Sequence, residues 1–214
     1  KALIETPDLG IGVHLVLTFG NPILKQSEVN SLVDQNGRFP NLNRLAEVLP
    51  NMKNEQIYLE WKAQINSMID AGYNPDHLDS HHHVSFRDQR LLDIMTQLAI
   101  EFGLPIRYSP NKYQESSGIV MDVDVISPGF TDVSFYGDRV NIQVLSKSLR
   151  DLPKGISELM VHPGYVDSNL KNLSSYTDQR EEELRILTLS DVVELIEVLK
   201  INLISYRDLL STKG

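Results

Sequence analysis

Cysteine is absent from the 214-residue sequence, which removes disulfides, thiolate zinc sites and a cysteine nucleophile together. A cytoplasmic location is the expectation that follows. No apolar run approaches the roughly 20 residues of a membrane-spanning helix, and no membrane partner is expected. Positive charge is in deficit: 20 Lys and Arg face 29 Asp and Glu, a formal net charge of −9. Sequence-independent binding to phosphates needs a basic surface, so nucleic acid is not an expected partner either. No Gly-x-Ser-x-Gly elbow occurs, which leaves Ser80 and Ser85 without the setting of a nucleophilic serine. Internal repeats and low-complexity tracts are lacking. The first residue is Lys1 rather than Met, with nothing like a basic-then-apolar signal beside it, and the start reads as a cut. What is present, 41% hydrophobic and 23% charged residues, suits an ordinary globular protein. The length suits one domain over residues 1–214.

Short apolar runs alternate with helical periodicity, the pattern of βα units around a parallel sheet or barrel. Strands are expected at Leu9–Leu17, Asp76–Ser80, Leu104–Tyr108, Ile119–Ile126, Glu158–His162 and Ile201–Tyr206. Between them, Asn54–Ala71 carries Ile57, Trp61, Ile65 and Met68 at steps of three and four, with Gly72 where a helix stops. Arg87–Phe102 repeats the pattern through Leu91, Ile94, Met95 and Leu98, followed by Gly103 and Pro105. Val140–Leu149 and Asp191–Leu199 are further helices, the latter with Ser190 placed as an N-cap. Gly20–Asn51, with Pro22, Pro40 and Pro50, reads as an insertion or long loop (20–51).

All six histidines fall in three places: His14, the run His77 and His81–His83, and His162. Each lies at or just after an expected strand. In barrels and open α/β sheets the carboxyl ends of the strands form the mouth where ligands converge, so the three places can share one site. Neutral imidazole is the commonest metal ligand, and a divalent cation is the simplest reason to gather so many. If strand geometry persists, His77, Asp79, His81 and His83 face one way and His82 the other. Blander readings exist for each: a solvated turn for the triple histidine, a core residue for His14, a loop residue for His162 before Pro163. Their joint placement is what favours a metal site.

These stretches resemble the YdjC-like carbohydrate deacetylase family, which includes chitooligosaccharide deacetylases. The matching residues are Pro7–Thr18, His77–Val84, Val133–Gly137, Met160–Asp167, Arg180–Thr188 and Ser205–Leu209, in the family's order and from end to end of the chain. The resemblance implies an irregular (β/α) barrel related to polysaccharide deacetylases, with parallel strands and outer helices. It implies metal ligands at His14 and His81 and a catalytic role for His162 near the leaving group. Asp79, Arg107, Tyr136 and Arg180 are implied to line or support the substrate site. Magnesium is implied as cofactor, although two imidazoles suit zinc better, and a homodimer acting on a small carbohydrate is implied as the assembly. The family's first strand ends in an Ala-Asp-Asp-Phe-Gly-type motif that supplies a metal-ligating carboxylate and the general base. No Asp-Asp pair occurs here, so that base is expected upstream of Lys1, in a first βα unit that this sequence lacks.

An acetamide is a poor electrophile with a poor leaving group. Its hydrolysis needs a polarised carbonyl, a nucleophilic water and a proton for the departing amine. The expected activity is therefore metal-dependent N-deacetylation of sugars. Another barrel metal hydrolase or isomerase, or a non-catalytic metal- or sugar-binding module, would use many of the same residues.

Overall fold

The computed structural model describes residues 5, 6, 9–108 and 125–211. In chain order the elements are strand β1 (Gly12–Leu15), helices α1 (Leu42–Val48) and α2 (Asn54–Asp70), strand β2 (His77–Ser80), helix α3 (Gln89–Phe102), strand β3 (Phe130–Asp132), helix α4 (Ile142–Arg150), strand β4 (Ser157–Leu159), and helices α5 (Ser168–Leu173), α6 (Asp178–Leu187), α7 (Ser190–Val198) and α8 (Tyr206–Ser211). The chain divides into two compact units, residues 1–127 with 205–214, and residues 128–204. Both are α/β with parallel strands. The sheets formed are two parallel pairs, β1 with β2 and β3 with β4, and among the described residues no sheet closes into a barrel. Of the expected strand Ile119–Ile126, all but the last two residues lie outside the described residues.

In the first unit, Val13 and Leu15 of β1 point into the core while His14 points out, the alternation that a strand imposes. Ile106 bridges to Leu78 in parallel, so the expected strand at Leu104–Tyr108 contributes a single bridge. Helix α2 buries Ile57, Trp61 and Ile65 along one stripe. Helix α3 starts two residues later than expected because Asp88 caps it, accepting from the Arg90 N–H. It ends at Gly103, whose left-handed φ of 66° an L side chain would resist. Gly20–Asn51 is more ordered than a long loop. It buries Val29, Leu32 and Phe39 in the core of this unit and closes with α1, which Asn41 caps.

Helix α8 returns to the amino ends of β1 and β2. Tyr206 stacks on His77 with ring centroids 4.0 Å apart, and the Arg207 guanidinium lies 3.4 Å from the Asp76 carboxylate. Gly12 makes room for this arrangement, since a Cβ there would sit 2.3 Å from the His77 ring. Tyr206 was expected to end a strand from Ile201. The Asp208 carboxylate instead accepts from Ser205 Oγ and from the Ser205 N–H at 2.6 Å, starting a helix there.

In the second unit β3 and β4 pair with Thr131 beside Glu158, over a small core of Phe135, Leu145, Ile186 and Val192. The expected strand Glu158–His162 is shorter and earlier, at Ser157–Leu159. Asn141 caps α4 through the Val144 N–H. Ser190 is not the cap of α7: Leu189 holds the extended cap position and Ser190 is the first helical residue.

Candidate functional site

The register of the first sheet places His14 directly beside Asp79. Both residues leave the sheet on the same face. The His14 Nδ1 meets Asp79 Oδ1 at 2.6 Å, and Arg107 Nη1 donates to Asp79 Oδ2 at 2.7 Å. Burial pushes the Asp79 carboxyl up, but the His14 hydrogen bond and the charges of His14 and Arg107 outweigh it and hold the group below the usual carboxylate range. An ionised carboxylate can only accept. The His14 proton therefore sits on Nδ1, and a neutral ring turns its Nε2 lone pair outward.

That Nε2 lies 3.1 Å from His81 Nδ1. Strand alternation does not carry as far as His81. The strand stops at Ser80, and His81–Phe86 forms a tight helical turn in which His82 and His83 take left-handed φ values of 55° and 52°. Ser80 Oγ pins the turn, lying 2.7 Å from Ser85 Oγ and accepting from the Ser85 N–H. Histidine tolerates this region better than most residues, yet each such position costs about 1–3 kcal/mol and is typical of functional sites. As a result His82 does not point away. Its ring lies 3.8 Å from that of His81, and its Nδ1 meets Thr18 Oγ1 at 2.9 Å. His77, expected on the same face as Asp79, is engaged by Asp76 and Tyr206 at the amino end of the strands.

Burial, reinforced by the neighbouring His82 and His14, lowers the His81 pKa to about 4. The ring is neutral near pH 7; with His14 Nε2 accepting, His81 Nδ1 carries the proton of the hydrogen bond between them, and a cation there would have to displace that proton. Two nitrogens bound to one ion at about 2.0–2.1 Å, at tetrahedral to octahedral angles, lie roughly 2.9–3.4 Å apart. The 3.1 Å separation of His14 Nε2 and His81 Nδ1 fits that range. Among the described residues no group of three histidine, aspartate or glutamate side chains is arranged to hold a metal ion; the pair offers at most two donors.

In the second unit His162 lies in the loop after β4, beside two tyrosines. Tyr136 and Tyr176 stack with centroids 4.6 Å apart and planes 5° apart. The His162 ring stands edge-on to both, at 5.3 and 5.5 Å. Glu183, fully buried, accepts from the His162 N–H and from the Tyr176 hydroxyl. Arg180 donates to the carbonyl oxygens of His162 and Tyr176. Burial and the Glu183 carboxylate push the Tyr176 phenol well above its usual range, so it stays protonated and donating.

A family model described as YdjC-like protein matches residues 2–198. The chain belongs to the YdjC-like family. Among its relatives, a carbohydrate deacetylase of Enterococcus faecalis is 35% identical over 98% of this chain and 80% of its own length. A carbohydrate deacetylase of Geobacillus stearothermophilus is 36% identical over 95% of this chain and 78% of its own length. A crystal structure from Enterococcus faecalis, described as a cellobiose-phosphate cleavage protein, matches with a TM-score of 0.86 at 35% identity, covering 97% of this chain and 80% of that one.

For this YdjC-like chain the structure thus gathers His14, His81, Asp79 and Arg107 in the first unit, and His162, Tyr136 and Arg180 in the second. The sequence reading missed Thr18, Tyr176 and Glu183. Thr18 and Glu183 lay within the Pro7–Thr18 and Arg180–Thr188 stretches already noted, whereas Tyr176 had no pattern to single out its role.

Proposed function

We propose that this YdjC-like chain hydrolyses the acetamide of N-acetylated sugars, with a divalent cation held by His14 and His81. The observation that carries the reading is the 3.1 Å approach of His14 Nε2 to His81 Nδ1, a spacing two ligands of one ion can share, with the His14 tautomer set by Asp79. A cation there supplies Lewis acidity toward a carbonyl oxygen and toward water. Two imidazoles favour zinc or a similar transition metal over the magnesium that the resemblance implies. A further carboxylate would complete the donor set and take the water's proton.

The chain's own residues do the rest. Asp79 orients His14, and Arg107 neutralises the remaining carboxylate oxygen so that Asp79 does not compete for the cation. The role that the resemblance implies for His162, giving a proton to the amine nitrogen as the C–N bond breaks and acetate leaves, is the one proposed for it. Glu183 and Arg180 bind the backbone N–H and C=O of His162 from either side, fixing the loop that carries the ring. Tyr136, half exposed beside it, offers a surface to the sugar.

The test is acetate release from N-acetylglucosamine oligomers with added zinc or magnesium, and after chelation. With that further carboxylate present, acetate release that chelator abolishes and metal restores is expected. Turnover of phosphate esters in place of acetamides would replace this reading with another metal hydrolase. Sugar binding without acetate release would replace it with a binding module.

A further inference from the structure

Beyond β1 the chain runs past His14 through Leu17, Thr18 and Phe19. Leu17 and Thr18 are buried, yet Phe19 is 57% exposed. A flexible surface loop could leave an aromatic ring out by default, but this loop is held at both ends by one helix. Gln64 of α2 accepts from the Val16 N–H at 2.8 Å and donates to the Val16 carbonyl at 3.0 Å. Four residues earlier on the same helix, fully buried Glu60 accepts from the N–H groups of Ile23 and Leu24, and Gln64 donates to it as well. Between these clamps, Thr18 is tied to His82, and the Gly20 carbonyl accepts from the Phe39 N–H. The ring is therefore kept out of the core by its surroundings. It stands 6.1 Å from the His81 ring, edge-on at 61°.

We propose that Phe19 is a stacking platform for the pyranose ring of the substrate, placing the sugar beside the His14–His81 pair. Sugar rings present flat faces of polarised C–H groups, which pack against an aromatic face and leave the hydroxyls free for solvent or polar partners. A rigid ring exposed next to the reacting centre is preorganised for that contact and loses little freedom on binding. The inference rests on the deacetylase reading for the identity of the ligand class. It goes beyond that reading in naming the residue that sets affinity.

The experiment compares the parent chain with Phe19→Ala, Phe19→Leu, Phe19→Tyr and Phe19→Trp. Calorimetry measures binding of di-N-acetylchitobiose, acetate release gives KM and kcat, and elemental analysis gives bound zinc. Phe19→Ala and Phe19→Leu are expected to weaken sugar binding and raise KM about tenfold, with a smaller change in kcat and with zinc content retained. Phe19→Tyr and Phe19→Trp are expected to stay within about threefold of the parent, because each keeps an aromatic face. Equal affinity in the parent and Phe19→Ala would overturn the proposal, as would full affinity in Phe19→Leu, where apolar bulk alone would suffice. A parent that carries the further carboxylate and binds the disaccharide without releasing acetate would overturn the deacetylase reading alone, and Phe19 would still be judged on binding. A parent that binds no N-acetylated sugar would overturn both.

Discussion

Replacing Asp79 by Asn keeps its shape but removes the charge that fixes the His14 proton on Nδ1. The amide can present its NH₂ to that nitrogen and allow the other tautomer, turning a donor N–H toward the cation. Asp79→Asn is expected to lower zinc affinity about 10–100-fold, the usual effect of losing a group that orients a ligand, as measured by competition with a chelating dye. His14→Ala and His81→Ala should abolish tight zinc binding with little change in circular dichroism. His82→Ala should retain most of it, because Nδ1 of His82 is engaged by Thr18; equal zinc loss in all three variants would count against the assignment. His162→Gln should keep its zinc yet slow acetate release by about a hundredfold or more, the scale of general acid catalysis. At this scale the placement of His81 after β2 and of His162 after β4 was legible in the sequence. The arrangement of His82 was not, because a strand-like alternation was extended across two left-handed residues, and left-handed turns leave no periodic signature when they are not glycine.

Helix α2 is both a core element and a clamp. Its apolar stripe of Ile57, Trp61 and Ile65 was readable from spacing, while Glu60 and Gln64, which no spacing singles out, are the anchors of the loop after β1. Glu60→Ala should leave two backbone N–H groups without their carboxylate and destabilise the protein by about 2–3 kcal/mol, measured by urea unfolding. Gly12→Ala would force the His77 ring from its stack with Tyr206. It is expected to raise hydrogen exchange in Tyr206–Ser211 and to cost about 1–3 kcal/mol, as overpacking does. Unchanged exchange there would show that α8 is held by other contacts. Helices with strong stripes and glycine stops, α2 and α3, were legible to within a few residues. Short elements such as β3, α5 and α6 were not, because segments of three to ten residues are fixed by partners distant in sequence rather than by their own pattern.

At the scale of the molecule, the two units have unequal cores, and the imidazole pair belongs wholly to the larger one. Cation binding stabilises the state that holds the cation, by about 2.7 kcal/mol at a hundredfold excess over Kd. Hydrogen exchange with zinc present is expected to slow in residues 12–18 and 77–86 by more than in residues 130–162. The parallel α/β character of both units was legible in the alternation of apolar runs and helical stripes. Whether those strands close a ring was not, since closure depends on pairings that no local pattern encodes. The pairing of His14 with Asp79 also reaches into folding. Side chains alternate along a strand, so a slip of one residue between β1 and β2 would set Val13 or Leu15 beside the carboxylate and turn His14 toward the apolar interior. A short imidazole–carboxylate hydrogen bond shields its proton from solvent and shifts it far downfield in a proton NMR spectrum. In a refolding experiment that one resonance would count the molecules whose strands have found their native alignment.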